Sequence, residues 1–80
     1  MKFKVGDKVR VVRNETDTLA VIGDIGIIKG IRKTFPMYAV EFPIGRIQYH
    51  ECQGLCGLDR GYWCGEEMLE LIRKSRMNAS

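Results

Sequence analysis

Val5-Gly6-Asp7-Lys8-Val9-Arg10-Val11-Val12 and, after a short gap, Gly23-Asp24-Ile25-Gly26-Ile27-Ile28-Lys29-Gly30-Ile31 are two versions of one device, a Gly-Asp turn that feeds a strand. Val9 and Val11 share one face of the first strand, and Lys8, Arg10 and Val12 share the other, the period of a half-buried strand. In the second strand, Ile25, Ile27, Lys29 and Ile31 alternate with Gly26, Ile28 and Gly30. Glycines inside a strand permit the sharp coiling that a small barrel needs at its corners. The pair predicts an all-β fold that curls into a small barrel.

Working outward, residues 14 to 18 are polar and turn-prone and form a surface loop, and residues 19 to 22 return the chain to the second turn. A third strand is expected over Met37-Tyr38-Ala39-Val40-Glu41-Phe42, bracketed by Pro36 and Pro43. A fourth is expected at Ile47-Gln48-Tyr49-His50, which alternates after the Gly45 turn. Residues 51 to 65 hold four glycines and all three cysteines and keep no period; they are expected to form an irregular excursion before the last strand. One helical turn is expected at residues 65 to 69, its acids at the positive end, with the last strand at Leu69-Glu70-Leu71-Ile72. Residues 1 to 73 then make a single domain, and residues 74 to 80 a frayed tail.

Eighty residues cannot support two independent cores. A hydrophobic share of 45% with 29% charged residues is that of a globular chain rather than a disordered one. No apolar run approaches the ~18 residues that span a bilayer, and the N-terminus has no apolar signal region, so a cytoplasmic location and no membrane partner are expected. The net charge of +3 hides a separation of sign. Residues 1 to 33 carry eight Lys or Arg against four acids, residues 41 to 70 two against six. A basic zone is the footprint that phosphate contacts require, though scattered lysines also serve solubility.

The chain resembles the small five-stranded barrel of the Src-homology-3 (SH3-like) type, in its KOW-like and mind-bomb-repeat-like branches. The likeness rests on the two opening segments, on Tyr38-Ala39-Val40-Glu41-Phe42 and on Glu67-Met68-Leu69-Glu70-Leu71. Short barrel proteins of bacteriophages and prophages are also similar, with a His-x-Cys followed by a glycine-rich, Trp-containing stretch, here His50-Glu51-Cys52 through Trp63. The KOW resemblance implies binding of RNA, DNA or protein through the first turns; the matching positions are Arg10, Arg13, Lys29, Arg32 and Lys33. The excursion of residues 51 to 65 departs from the KOW pattern and weakens that implication.

His50, Cys52, Cys56 and Cys64 fall within fifteen positions, and four borderline or soft ligands are what a structural zinc takes. Cys52 and Cys56 have a three-residue gap followed by Gly57, and His50 and Cys52 share a face if the strand continues. One structural zinc would also add about 10 to 16 kcal/mol to a domain with a poorly packed loop. The alternative is that the cysteines are small buried hydrophobes and His50 a surface residue. A thiol nucleophile, Cys52 or Cys64 with His50 as base, is rejected: nothing resembles an oxyanion turn, and no deep pocket for a small-molecule substrate is expected. Tyr49, Leu55, Leu58, Tyr62 and Trp63 are candidates for anchoring a protein partner, with the alternative that Trp63 lids the core. Two functions stay open: a non-enzymatic module of phage or prophage type that engages a host protein through residues 50 to 65 and the barrel rim, or a nucleic-acid binder using the basic face of residues 8 to 33.

Overall fold

A computed structural model describes residues 2–15 and 18–72. Five strands, β1 (Lys8–Val11), β2 (Ile25–Ile31), β3 (Tyr38–Glu41), β4 (Gly61–Cys64) and β5 (Leu69–Leu71), form one sheet in the order β4-β3-β2-β1-β5. Every pairing is antiparallel. A single 3₁₀ turn, Glu66–Met68, links β4 to β5, and among the described residues no helix is long and apolar enough to cross a membrane. The sheet is open: β4 and β5 are its two edges, so the described ladder is a five-stranded sheet rather than a closed barrel.

The two Gly-Asp segments are built alike. Asp7 N–H donates to Lys4 O and Asp24 N–H to Val21 O, both at 3.0 Å, and the third residues, Gly6 and Gly23, have φ of +99° and +98°. That is the position of a type II turn that requires φ > 0, which explains glycine in both. The turns set β1 against β2 with Val9 opposite Gly26.

β2 buries Gly26, Ile28 and Gly30 and leaves Ile25, Ile27 and Ile31 half-buried. Gly26 is needed because β3 crosses there: a Cβ on it would lie 2.6 Å from the Glu41 carbonyl oxygen and 2.7 Å from Val40 Cγ1. A bulge between Ile28 and Gly30 then bends the strand. Ile28, opposite Val40, stands in the main core with Val9, Val11, Tyr38, Phe42, Met68 and others, whereas Gly30 is opposite Ala39, which belongs to a smaller cluster with Cys52 and Cys56. β3 is therefore covered on both faces.

Two expectations are corrected. The fourth strand is not at residues 47 to 50: Tyr49 N–H donates back to Arg46 O in a turn, Ile47 is 100% exposed, and only His50 forms a bridge, to Gly61. The strand is instead Gly61–Cys64, inside the stretch expected to be irregular throughout, so the excursion ends at residue 60. Expected strand three is trimmed to Tyr38–Glu41, and the helical turn and last strand lie at Glu66–Met68 and Leu69–Leu71. The tail of residues 74 to 80, with Arg73, lies outside the described residues.

Candidate functional site

The loop from residue 43 to residue 60 has little regular structure of its own, and a clamp fixes it to the frame. The Asp24 carboxylate accepts hydrogen bonds from Arg46 Nε at 2.7 Å, Arg46 Nη2 at 2.9 Å and the Tyr49 hydroxyl at 2.9 Å. The Arg46 fork holds the Asp24 carboxyl below its ordinary value, and the Tyr49 hydroxyl adds to this. The Tyr49 hydroxyl also accepts from Val21 N–H at 3.1 Å, and burial pushes its pKa up to about 12. Its ring stacks on Phe42 with centroids 4.8 Å apart. Tyr49 is only 2% exposed: it supports the surface from beneath, a correction to its expected place among residues that touch a partner.

Three loops meet at this clamp. Gln48 Nε2 donates to Leu19 O, joining the loop of residues 18 to 24 to residue 48, and Arg46 N–H donates to Asp59 O, joining residue 46 to the end of the excursion. Leu19, Ile22, Ile44, Ile47 and Leu58, all on these loops, are each more than half exposed, Leu58 by 75%. An open groove of about 470 Å³ is lined by Lys8, Ile25, Ile27, Phe42, Pro43 and Arg60. A second, smaller hollow shares Ile25, Phe42 and Pro43 and reaches Ile44.

Beyond the rim the excursion folds into a tight turn. Glu51 O accepts from Gly54 N–H and Cys56 N–H at 3.0 and 2.9 Å, and Cys52, Gln53 and Gly54 follow one another with φ of +49°, +54° and +94°. Glu41 Oε2 accepts from Gly57 N–H at 2.7 Å and anchors the far end. Leu55 seats over Gly30, where a Cβ would meet its Cδ1 at 2.5 Å. Trp63 packs on the Ala39, Cys52 and Cys56 cluster, and the Arg32 guanidinium stacks over its ring at 3.9 Å, a cation–π contact. Tyr62, on the opposite face of β4, accepts from Leu19 N–H through its hydroxyl at 2.6 Å. Trp63 thus lids the smaller cluster, and Leu55 and Leu58 keep exposed surface.

The four residues expected to ligate zinc are split. Cys52 and Cys56 are buried together in the smaller cluster with Ala39. Cys64 shares the Tyr62 face of β4 and is buried in the main core, on the other side of the strand from Trp63 and the pair. His50 is exposed at the surface, and its Nδ1 accepts from Cys52 N–H at 3.0 Å. Among the described residues no three of His, Cys, Asp or Glu are grouped to hold a metal. Burial raises the pKa of all three thiols, that of Cys64 to about 12. They stay protonated at neutral pH, the opposite of an activated nucleophile.

The basic candidates are spread and mostly engaged. Arg10 pairs with Glu70 at 3.3 Å, Arg13 with the Glu67 carboxylate at 3.9 Å and its carbonyl at 2.9 Å, and Lys29 with Glu41 at 3.7 Å. Arg32 is committed to Trp63 and to Pro36 O, at 2.8 Å. Lys33 is exposed beside Phe35 and Glu66. Searches of family models, curated proteins and solved structures give no match to this chain, so the reading of the site rests on its own geometry.

Sequence reading missed Leu19, Ile22, Ile44 and Ile47 as surface residues. Ile47 looked like a strand position, and the link that turns it outward, Asp24 to Arg46, is 22 residues long. The one available signal was an isoleucine on each side of Gly45-Arg46, more apolar than a surface turn requires.

Proposed function

We propose that this chain is a non-enzymatic SH3-like binding module of the phage or prophage type, which engages a host protein through the excursion and the adjoining rim. The observation that carries the reading is the rim: Leu19, Ile22, Ile44, Ile47 and Leu58 are all solvent-exposed on three loops that one polar clamp holds together. Exposed apolar side chains normally occur singly, and a group of them on rigid support is typical of a protein-binding face. Leu55, also exposed, would extend that face along the excursion. The strand order β4-β3-β2-β1-β5 and the bend in β2 favour an SH3-like curl over a flat sheet.

Nucleic-acid binding is the weaker reading. Phosphate contacts need free cations on one face, and here Arg10, Arg13 and Lys29 have carboxylate partners while Arg32 is stacked on Trp63. The test is a titration of the purified chain with mixed RNA and with duplex DNA at about 50 mM and about 200 mM salt, beside affinity capture from bacterial lysate. The protein-binding reading expects no salt-sensitive nucleic-acid complex and a captured protein that is lost in Leu58→Asp. A nucleic-acid complex that weakens steeply with salt, with capture unaffected by that substitution, would reverse the order of the two readings.

A further inference from the structure

The Cys52–Cys56 pair is left without a role by the binding face, and its surroundings are unusual. Three successive left-handed residues, two of them not glycine, form the turn that folds Cys56 back over Cys52. Such backbone persists only where the surrounding structure enforces it. Glu51 O holds both Gly54 N–H and Cys56 N–H, Cys52 O accepts from Leu55 N–H at 3.2 Å, and the Glu41 carboxylate fixes Gly57. Cys56 lies flat on β4: a Cβ on Gly61 would be 2.6 Å from Cys56 Cβ and 2.7 Å from its Sγ. Cys52 and Cys56 are buried together in one cluster with Ala39, while Cys64 is across the strand in the other core. Within that cluster Cys52 and Cys56 are therefore each other's thiol neighbour.

We propose that Cys52 and Cys56 are a dithiol that closes to an intramolecular disulfide on reaction with a hydroperoxide, and that closure is sensed by the Trp63–Arg32 stack packed over it. Cys56, 8% exposed against 0% for Cys52, is the thiol that a small oxidant meets first. In the small fraction that ionises at alkaline pH, its sulfur attacks one peroxide oxygen as thiolate; the O–O bond breaks, Cys56 becomes a sulfenic acid, and an alkoxide or hydroxide leaves and takes up the proton that the thiol released. Cys52 sulfur then attacks Cys56 Sγ, the S–O bond breaks, and the departing hydroxide leaves as water with the Cys52 proton. Two thiols are oxidised and one peroxide is reduced, giving one disulfide, one water and one alcohol, or a second water from hydrogen peroxide. Burial makes the first step slow, so the pair reacts stoichiometrically and is not a turnover site. This inference is independent of the binding face.

Trypsin cuts after Arg46 and Arg60, which places Cys52 and Cys56 together in the peptide of residues 47 to 60 and leaves Cys64 in the next one. The full chain is treated with a few equivalents of hydrogen peroxide at about pH 8, unfolded, alkylated and digested without reductant. The expected result is a 47–60 peptide that is unalkylated and lighter by two hydrogens, Cys64 alkylated, full reversal by dithiothreitol, and Trp63 emission changing in proportion to the disulfide formed. In Cys52→Ser, which leaves the turn's backbone bonds in place, Cys56 should stop as a sulfenic acid that dimedone traps. A 47–60 peptide alkylated twice after oxidation of Cys64, a disulfide between chains, or Trp63 emission that ignores closure would overturn the proposal.

Discussion

Replacing Asp24 by Ala removes the centre of the clamp. Three hydrogen bonds end on its carboxylate, two of them from a guanidinium fork at 2.7 and 2.9 Å. Hydrogen bonds to a charged group contribute about 1.5–3 kcal/mol each when sheltered, and a fully exposed ion pair only about 0.2–1 kcal/mol. The Asp24 side chain is 17% exposed and that of Arg46 34%, so the three together lie between those limits, and Asp24→Ala should cost about 2–4 kcal/mol. In a domain of this size each kcal/mol moves the midpoint by about 4–8 °C, so Tm should fall by roughly 10–25 °C. Calorimetry and urea unfolding on Asp24→Ala, Arg46→Ala and the double variant form the assay; because both substitutions break one network, the double should cost little more than Asp24→Ala alone. The acid response has a definite sign. The folded Asp24 carboxyl lies below its ordinary value of 3.8, so its contribution is fully present above the unfolded pKa and is lost as pH falls through the folded one. The gap in stability between the natural chain and Asp24→Asn should therefore narrow below about pH 4. A loss under about 0.5 kcal/mol for Asp24→Ala, or strict additivity of the two single changes, would refute the reasoning.

Gly26→Ala and Gly61→Ala should each lower stability by about 1–3 kcal/mol, because each new Cβ would lie 2.6 Å from a backbone oxygen, that of Glu41 and that of His50 respectively; urea midpoints decide. The three buried thiols, all with raised pKa, should label slowly with a bulky disulfide reagent at neutral pH and at once in denaturant, followed by absorbance. Zinc added to the reduced chain should leave the apo mass dominant in native mass spectrometry. A one-zinc adduct lost in Cys64→Ser would instead show that the four residues converge.

The parts of the fold that sequence makes legible are those whose chemistry is local. Gly6 and Gly23 announce their turns because only a φ near +100° closes them, and Val9 with Val11 alternates because one face of β1 is buried. β4 is hidden for the opposite reason. Gly61-Tyr62-Trp63-Cys64 has the main core on one side and the Cys52–Cys56 cluster on the other, so no polar alternation marks it. Residues 47 to 50 do alternate, yet Tyr49 turns inward to reach Asp24, 25 positions away, and Ile47 turns out. Of the site, Leu55, Leu58, Tyr62 and Trp63 were legible as apolar residues in an irregular stretch, whereas the rim isoleucines depend on long-range bonds that no spacing reveals. The basic residues were legible as a charge zone, but their carboxylate partners, Glu41, Glu67 and Glu70, come from strands and turns far along the chain.

The central claim, that the apolar rim is a protein-binding face, is tested most directly by affinity capture from nuclease-treated bacterial lysate with the natural chain and with Ile47→Asp/Leu58→Asp. Both positions are exposed, so the variant should keep its Tm to within a few degrees while its charge falls on the rim. One protein should be retained by the natural chain and absent from the variant. The same protein retained equally by both, or capture that disappears when nucleic acid is digested, would contradict it.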